Sequence, residues 1–224
     1  MSSANSPWLR AEQVRPGPRP AHTLDDIAAA CVRIADESGL AAVAMRRVAE
    51  RLGTAAASLY RYVDGKDDLF ALMVDHVAAE YELAPLTGDV RADVLAVAEE
   101  ARALHRRHPW VQRVSPSALG PNSLRYLDHL VGALGPAGLD RTTVMVGIAQ
   151  LTGWISTFAA QESAGAVAAG QDPAALPAMV ARGDYPHLTA LFAGAPAPGS
   201  GFDADAAFRA GIDALLFGIA GQGR

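Results

Sequence analysis

Residues 45–66 read MRRVAERLGTAAASLYRYVDGK. Met45, Val48, Ala49 and Leu52 recur at i, i+3, i+4 and i+7, the spacing of one apolar helix face. Gly53 follows the last apolar residue, where a helix C-terminus favours a residue that tolerates positive φ. Thr54 can cap a second helix over about 55–62. Helix, glycine turn and helix at this length is the helix-turn-helix pattern, whose second helix enters the DNA major groove.

The flanking sequence extends this unit into a small helical head. Thr23 is placed to cap a helix from Leu24 to about Ser38, with Asp25 and Asp26 in the first turn, where the helix dipole favours negative charge. Leu24, Ile27, Ala28, Cys31, Ile34 and Ala35 make its apolar stripe, and Gly39 ends it. Cys31 is the only cysteine, so no internal disulfide forms, and its place on the stripe makes it a core residue rather than a reactive thiol. After Gly65 a helix over about 66–80 buries Leu69, Phe70, Met73 and Val77 and joins head to body. Residues 1–21, rich in Pro, Arg and Ser and without periodicity, read as a flexible arm. The arm has no apolar run of signal-peptide length, which with the lone cysteine points to the cytoplasm.

The body, 67–224, reads as further helices. Asp89 caps one to about Arg107, and His108-Pro109 stops it. Asn122 is placed to cap another to Leu134, with Leu124, Leu127, Leu130, Val131 and Leu134 on one side. Asp140 caps the most apolar element, 141–161, which has no charged residue between Arg141 and Glu162. That run is long enough to cross a bilayer, but its Thr, Ser and Gln residues and the missing basic flanks argue against a membrane. An uncharged helix in a water-soluble protein is covered on every side, which suggests a partner subunit as well as the core. A short helix at 173–182, a loop at 195–201 and a last helix over 203–219 complete the chain. Half the residues are apolar yet only 6% are aromatic, Ala is abundant, and alternating β-branched runs are scarce; the fold class is all-α.

The net charge of −5 is unevenly divided. Residues 1–66 carry nine Lys/Arg against seven Asp/Glu, and residues 67–224 carry ten against seventeen. The slight basic excess lies with the proposed reader, a footprint too small to argue DNA binding without the motif.

With Leu59 facing inward, Thr54, Ala55, Ala56, Ser58 and Arg61 face the groove. Arg61 is the one long polar side chain among them, Thr54 and Ser58 can bond bases or phosphates, and the alanines offer only methyl contacts. Arg46 and Arg47 open the first helix of the motif and can clamp the DNA backbone or remain solvated. Lys66, the only lysine, stands at a helix N-terminus, where its ammonium and the free amides both favour phosphate. In the body, His105, His108, Trp110, Arg113, Tyr126, His129, Gln150, Trp154, Phe158 and Gln161 mix aromatic faces with polar anchors and are the candidates for a small-molecule pocket. No Ser/His/Asp grouping, HExxH or phosphate-binding glycine loop is present, which leaves an enzymatic reading without support.

From Thr23 through Val77 the chain resembles the tetracycline-repressor (TetR) family of one-component regulators. The resemblance is carried by Met45-Arg46-x-Val48-Ala49-x-x-Leu52-Gly53, by Ser58-Leu59-Tyr60-x-Tyr62-Val63 and by Lys66-x-x-Leu69. The second half is similar to the family's C-terminal class in HPW at 108–110, LGPNSLRYLDHL at 119–130, the uncharged helix ending FAAQES, and a last helix opening FDADAAFRAGID. The resemblance implies an all-α homodimer. Its three-helix head (22–66) would bind a palindromic operator in double-stranded DNA. Its helical body (67–224) would bind a small hydrophobic effector, with helices 141–161 and 203–219 building a dimeric four-helix bundle. It places Tyr60 and Tyr62 at phosphate-contacting positions, although the family more often has His-Phe where this chain has Tyr62-Val63. His108 is the nearest counterpart of a histidine that binds a magnesium-chelated drug in the tetracycline repressors. The surrounding residues differ, so no metal or cofactor is expected here. A DNA-binding protein without ligand control stands as the alternative.

Overall fold

The computed structural model describes residues 6–12, 22–164, 175–193 and 203–222. The head is built from α2 (Leu24–Ser38), α3 (Met45–Leu52) and α4 (Ala56–Leu59), with α5 (Lys66–Ala78) packed along α2. The start of α2 is the capping box its sequence suggests. The Asp26 amide donates to Thr23 Oγ1 at 3.0 Å, and the Thr23 amide donates to Asp26 Oδ2 at 2.8 Å. These bonds to Thr23 hold the Asp26 carboxyl below its ordinary pKa. Ile27, Ile34, Val43, Val48, Leu59, Leu69 and Met73 close the head core, each contributing about 1.5–3 kcal/mol on burial.

Between α3 and α4 the chain reverses through Gly53 at φ 66°, ψ 31°. The Gly53 amide donates to Glu50 O (3.2 Å) and the Thr54 amide to Ala49 O (3.0 Å), which satisfies the last carbonyls of α3. Thr54 is therefore part of the stop of α3 and not the cap of α4; Ala55 precedes α4, without a side-chain capping bond. Nor does α4 reach Tyr62. It is one turn, and residues 60–62 continue as tight turns closed by the Tyr62 amide on Leu59 O at 2.9 Å.

Part of the expected N-terminal arm is ordered: α1 (Pro7–Glu12) lies against the head, with Trp8 packed on its core. Residues 13–21 of the expected arm lie outside the described residues.

The body comprises α6 (Val90–Arg107), α7 (Pro121–Leu134), α8 (Arg141–Ser163), two short helices α9 (Ala175–Val180) and α10 (Pro186–Phe192), and α11 (Ala204–Gln222). The last loop expected from composition, 195–201, lies outside the described residues, and α10 was not foreseen. Asp89 and Asp140 cap α6 and α8 through backbone amides, as expected. Asn122 does not cap α7. The N-cap is Gly120, Pro121 takes the first turn, and Asp75 of α5 supplies the acceptor, with the Ser123 amide donating to its Oδ1 at 2.8 Å. Val94, Val97, Leu130, Leu134, Ile148, Leu151, Ile155, Phe158, Phe208 and Ile212 form the body core. The head core runs into the body without a break, through Leu104 of α6 and Trp110.

Two residues of the expected α7 stripe point outward, Leu124 (51% exposed) and Val131 (40%). Helix α8, the one described helix long and apolar enough to span a bilayer, packs its Gly147–Ile148–Leu151–Ile155–Phe158 side against α6 and α11. Its other side is bare, with Met145 and Val146 exposed, and Phe217 of α11 is 85% exposed.

Candidate DNA-binding surface and effector cavity

The exposed edge of the head is made by the ends of α3, α4 and α5. Burial of Leu59 orients the segment, leaving Tyr60 and Arg61 exposed and Tyr62 half-buried. Thr54 and Ser58 are half-buried and Ala55 is open. Ala56 is half-buried and packs partly against the head core, and Ala57 is exposed. The Arg61 guanidinium lies 5.8 Å from the Tyr62 ring, and the Lys66 ammonium lies 5.2 Å from the Phe70 ring. Lys66 opens α5 and is exposed, with no carboxylate in salt-bridge range among the described residues. Arg46 is exposed and pairs with Glu50 across one turn at 2.9 Å, while Arg47 donates to Ser38 Oγ at 2.7 Å. Arg51 grips Glu37 with two bonds, 2.8 and 2.5 Å, and so ties α3 to α2. The surface therefore presents several cationic and hydroxyl groups on a short, rigid helical unit, a chemistry suited to phosphate and base edges.

Of the ten pocket candidates, the structure brings His105 and Tyr126 into one cavity. It measures about 180 Å³ and is also lined by Val74, Tyr81, Thr152, Ile155 and Ser156. Tyr81 and Tyr126 stack with ring centroids 4.5 Å apart. Burial raises both phenol pKa values above the ordinary tyrosine range. Burial also lowers the His105 pKa and favours its neutral form, and its Nδ1 is buried without a hydrogen-bond partner. A buried polar atom left unpaired costs about 1–3 kcal/mol, so this nitrogen gains from any ligand group that reaches it.

The other candidates go elsewhere. His108 and Trp110 are buried where head meets body. His108 Nδ1 lies 3.0 Å from Asp36 and Nε2 lies 3.1 Å from Glu80, while the Trp110 indole N–H donates to Asp36 at 2.6 Å. Trp154 and Phe158 are core residues, and the Trp154 N–H donates to Phe208 O at 3.3 Å. Arg113, Gln150 and Gln161 are exposed, the two glutamines on the bare side of α8. His129 lines a separate, wider hollow of about 520 Å³ with Leu83, Leu86, Asp93 and Glu100. Among the described residues no three His, Cys, Asp or Glu side chains converge as a metal site. The Cys31 thiol, at 0% exposure, is pushed up to about 12 by burial and is inert.

Sequence reasoning missed Tyr81, Val74, Thr152 and Ser156 as cavity residues. Tyr81 lies three residues past the end of α5, and its aromatic ring at that joint was the available signal. It also missed Arg102, which sits within the apolar stripe of α6 yet is 4% exposed. Arg102 is held by Glu162 (2.8 and 2.5 Å) and Asp205 (2.9 Å) and lies over the rings of Phe158 and Phe208 at 5.0 and 4.6 Å.

A helix-turn-helix head joined by one helix to an all-helical, cavity-bearing body is the architecture of a ligand-binding transcriptional regulator. Residues 27–73 match the family described as bacterial regulatory proteins, tetR family, and residues 84–222 match the tetracyclin repressor-like C-terminal domain. The chain belongs to the tetR family. It is 36% identical over 152 residues to the HTH-type transcriptional repressor DrrR1 of Streptomyces coeruleorubidus; the match covers 66% of this chain and 56% of that protein. It is 32% identical over 222 residues to an HTH-type transcriptional regulator of Saccharopolyspora erythraea, covering 95% of this chain and 90% of that one. Among solved structures it is similar to the TetR family protein ActR of Streptomyces coelicolor. With ActR bound to (S)-DNPA the TM-score is 0.76 at 27% identity, covering 93% of this chain and all of that one. With ActR bound to actinorhodin the TM-score is 0.75 at 26% identity, covering 90% and 97%.

Proposed function

We propose that this protein is a cytoplasmic, homodimeric transcriptional repressor that binds a palindromic operator and is released by a small, largely apolar effector. The observation that carries the reading is that α5 touches both sites. Its first residue, Lys66, stands at the exposed edge of the head, and its Val74, roughly 12 Å further along the axis, lines the cavity. An effector that displaces Val74 tilts α5 and moves the reading unit with it. Two-fold pairing through the bare sides of α8 and α11 would set two such units about one DNA turn, ~34–36 Å, apart. Conversion from mostly bound to mostly free requires the effector to prefer the released state by about 5.5 kcal/mol.

The cavity favours an uncharged effector with a flat apolar face for the tyrosine pair and a hydroxyl or carbonyl for neutral His105. That ActR is found with bound small molecules, and that DrrR1 is a repressor, supports the same reading. The test uses gel shifts with the duplex upstream of the protein's own gene, at several salt concentrations, and a thermal-shift screen of aromatic metabolites. Sequence-specific retention that a stabilising hit abolishes is the expected result. Retention at random DNA alone would sink the regulator reading. Specific retention that none of the stabilising compounds relieves would favour a DNA-binding protein without ligand control.

A further inference from the structure

Helix α1 sits where the head, α5 and α7 meet. Its two ends engage different parts of the molecule. At one end Trp8 packs on the head core and lies over Gly120, the residue before α7. A Cβ at Gly120 would overlap both the Trp8 ring and the Asp75 carboxylate, so the indole is seated directly on the joint where Asp75 caps α7. At the other end the Arg10 guanidinium reaches Asp68, which is 5% exposed, and lies 3.2 Å from Asp64.

These carboxylates lie beside the edge assigned to phosphate. Asp68 Oδ2 also accepts the Asp64 amide at 2.7 Å, so the Arg10–Asp68 pair fixes the Asp64–Gly65 turn from which Lys66 projects. The Asp64 side chain is 68% exposed and within two residues of Lys66. Left unpaired, Asp64 and Asp68 would place two negative charges next to the groups that meet DNA phosphate. Arg10 is 25% exposed and held on an ordered helix, and it supplies the opposing charge.

We propose that Arg10 and Trp8 are positioning residues of the DNA-binding function: Arg10, anchored to the body joint through Trp8, holds the turn before Lys66 and screens its carboxylates from DNA phosphate. The proposal rests on the reading of residues 46–66 as the DNA surface. It also gives the N-terminal segment a place in the response, because α1 bridges the two helices, α5 and α7, whose relative tilt would release the head.

The experiment measures affinity of the full chain for the duplex upstream of its own gene and for a random duplex, across a salt series. The variants are Arg10→Ala, Arg10→Lys, Trp8→Ala and the double variant Arg10→Ala/Asp64→Asn. Thermal melting of each verifies a cooperative fold. Arg10→Ala is expected to weaken binding roughly fivefold to tenfold at low salt, with the loss shrinking as salt rises. Arg10→Lys should retain part of the affinity. Trp8→Ala should weaken binding although Arg10 is intact. The double variant should recover most of the loss, because the exposed carboxylate has gone. Wild-type affinity in Arg10→Ala overturns the proposal, as does a double variant as weak as Arg10→Ala, since a merely structural role would not be rescued by removing a charge. If wild type itself does not prefer its upstream duplex to random DNA, the DNA-binding reading fails, and that failure is separate from one confined to the variants.

Discussion

Lys66 and Arg61 stand five residues apart yet have different chemistry to offer. Lys66 is a point charge at the start of α5, where the helix amides add to its pull on phosphate. Lys66→Ala should weaken binding by a similar factor for operator and random duplex and lower the salt slope by about one, read by fluorescence anisotropy across a salt series. Arg61 is exposed beside the Tyr62 ring and carries a planar fork able to pair with a base. Arg61→Ala should cost about 1–3 kcal/mol of discrimination, seen as a changed preference in binding-site selection. An equal loss on operator and random DNA would remove Arg61 from the base-reading set. At this scale the sequence was informative about type but not about placement. His105 and Tyr126 do share a cavity, whereas Gln150 and Gln161 look outward, because a helix that is uncharged on all sides gives no sign of which side is core.

Among the elements, α5 and α8 depend on contacts made by residues distant in the chain. The Asp75 carboxylate, 4% exposed, caps α7 from α5, so Asp75→Ala removes an N-terminal acceptor and should lower stability by about 1–2 kcal/mol, measured by urea unfolding. Helices α6, α8 and α11 meet around Arg102. The hydrogen bonds from Arg102 hold Glu162 down at about 2, far below its ordinary 4.5. Because the folded value is depressed, this contribution is complete above the ordinary carboxylate range and is lost as pH falls toward about 2. Unfolding midpoints measured down that range should fall less steeply in Glu162→Gln than in wild type. The caps at Thr23, Asp89 and Asp140 were readable because capping is local, made within four residues. The cap of α7 was not, because its acceptor lies on another helix, and α4 proved shorter than its pattern because the chain turns at Tyr60 to bury Leu59 and Val63.

For the whole molecule, the exposed apolar side chains of α8 and α11 require a cover. Met145, Val146 and Phe217 lie on the two helices proposed to pair in the dimer, and Phe217 is the most exposed of them. Phe217→Glu should halve the mass seen by sedimentation equilibrium and abolish operator retention, while the monomer keeps its helical circular dichroism. A variant that remains dimeric would move the interface elsewhere. Emptying the core has the opposite signature: Phe208, 0% exposed beside Phe158 and Arg102, should cost about 3–5 kcal/mol as Phe208→Ala, without changing the mass.

The linear chain by itself determined the all-helical class, the caps at Thr23, Asp89 and Asp140, the Gly53 turn and the reading motif, since each depends on spacings of a few residues that one helix turn brings together. The rest was decided by tertiary structure. His108 became a link between Asp36 and Glu80, Arg102 became a buried charge, and six residues of the expected arm became a helix against the head. Each of these hangs on a partner 28 or more positions away, and hydrophobic periodicity carries no record of which distant side chain will stand opposite.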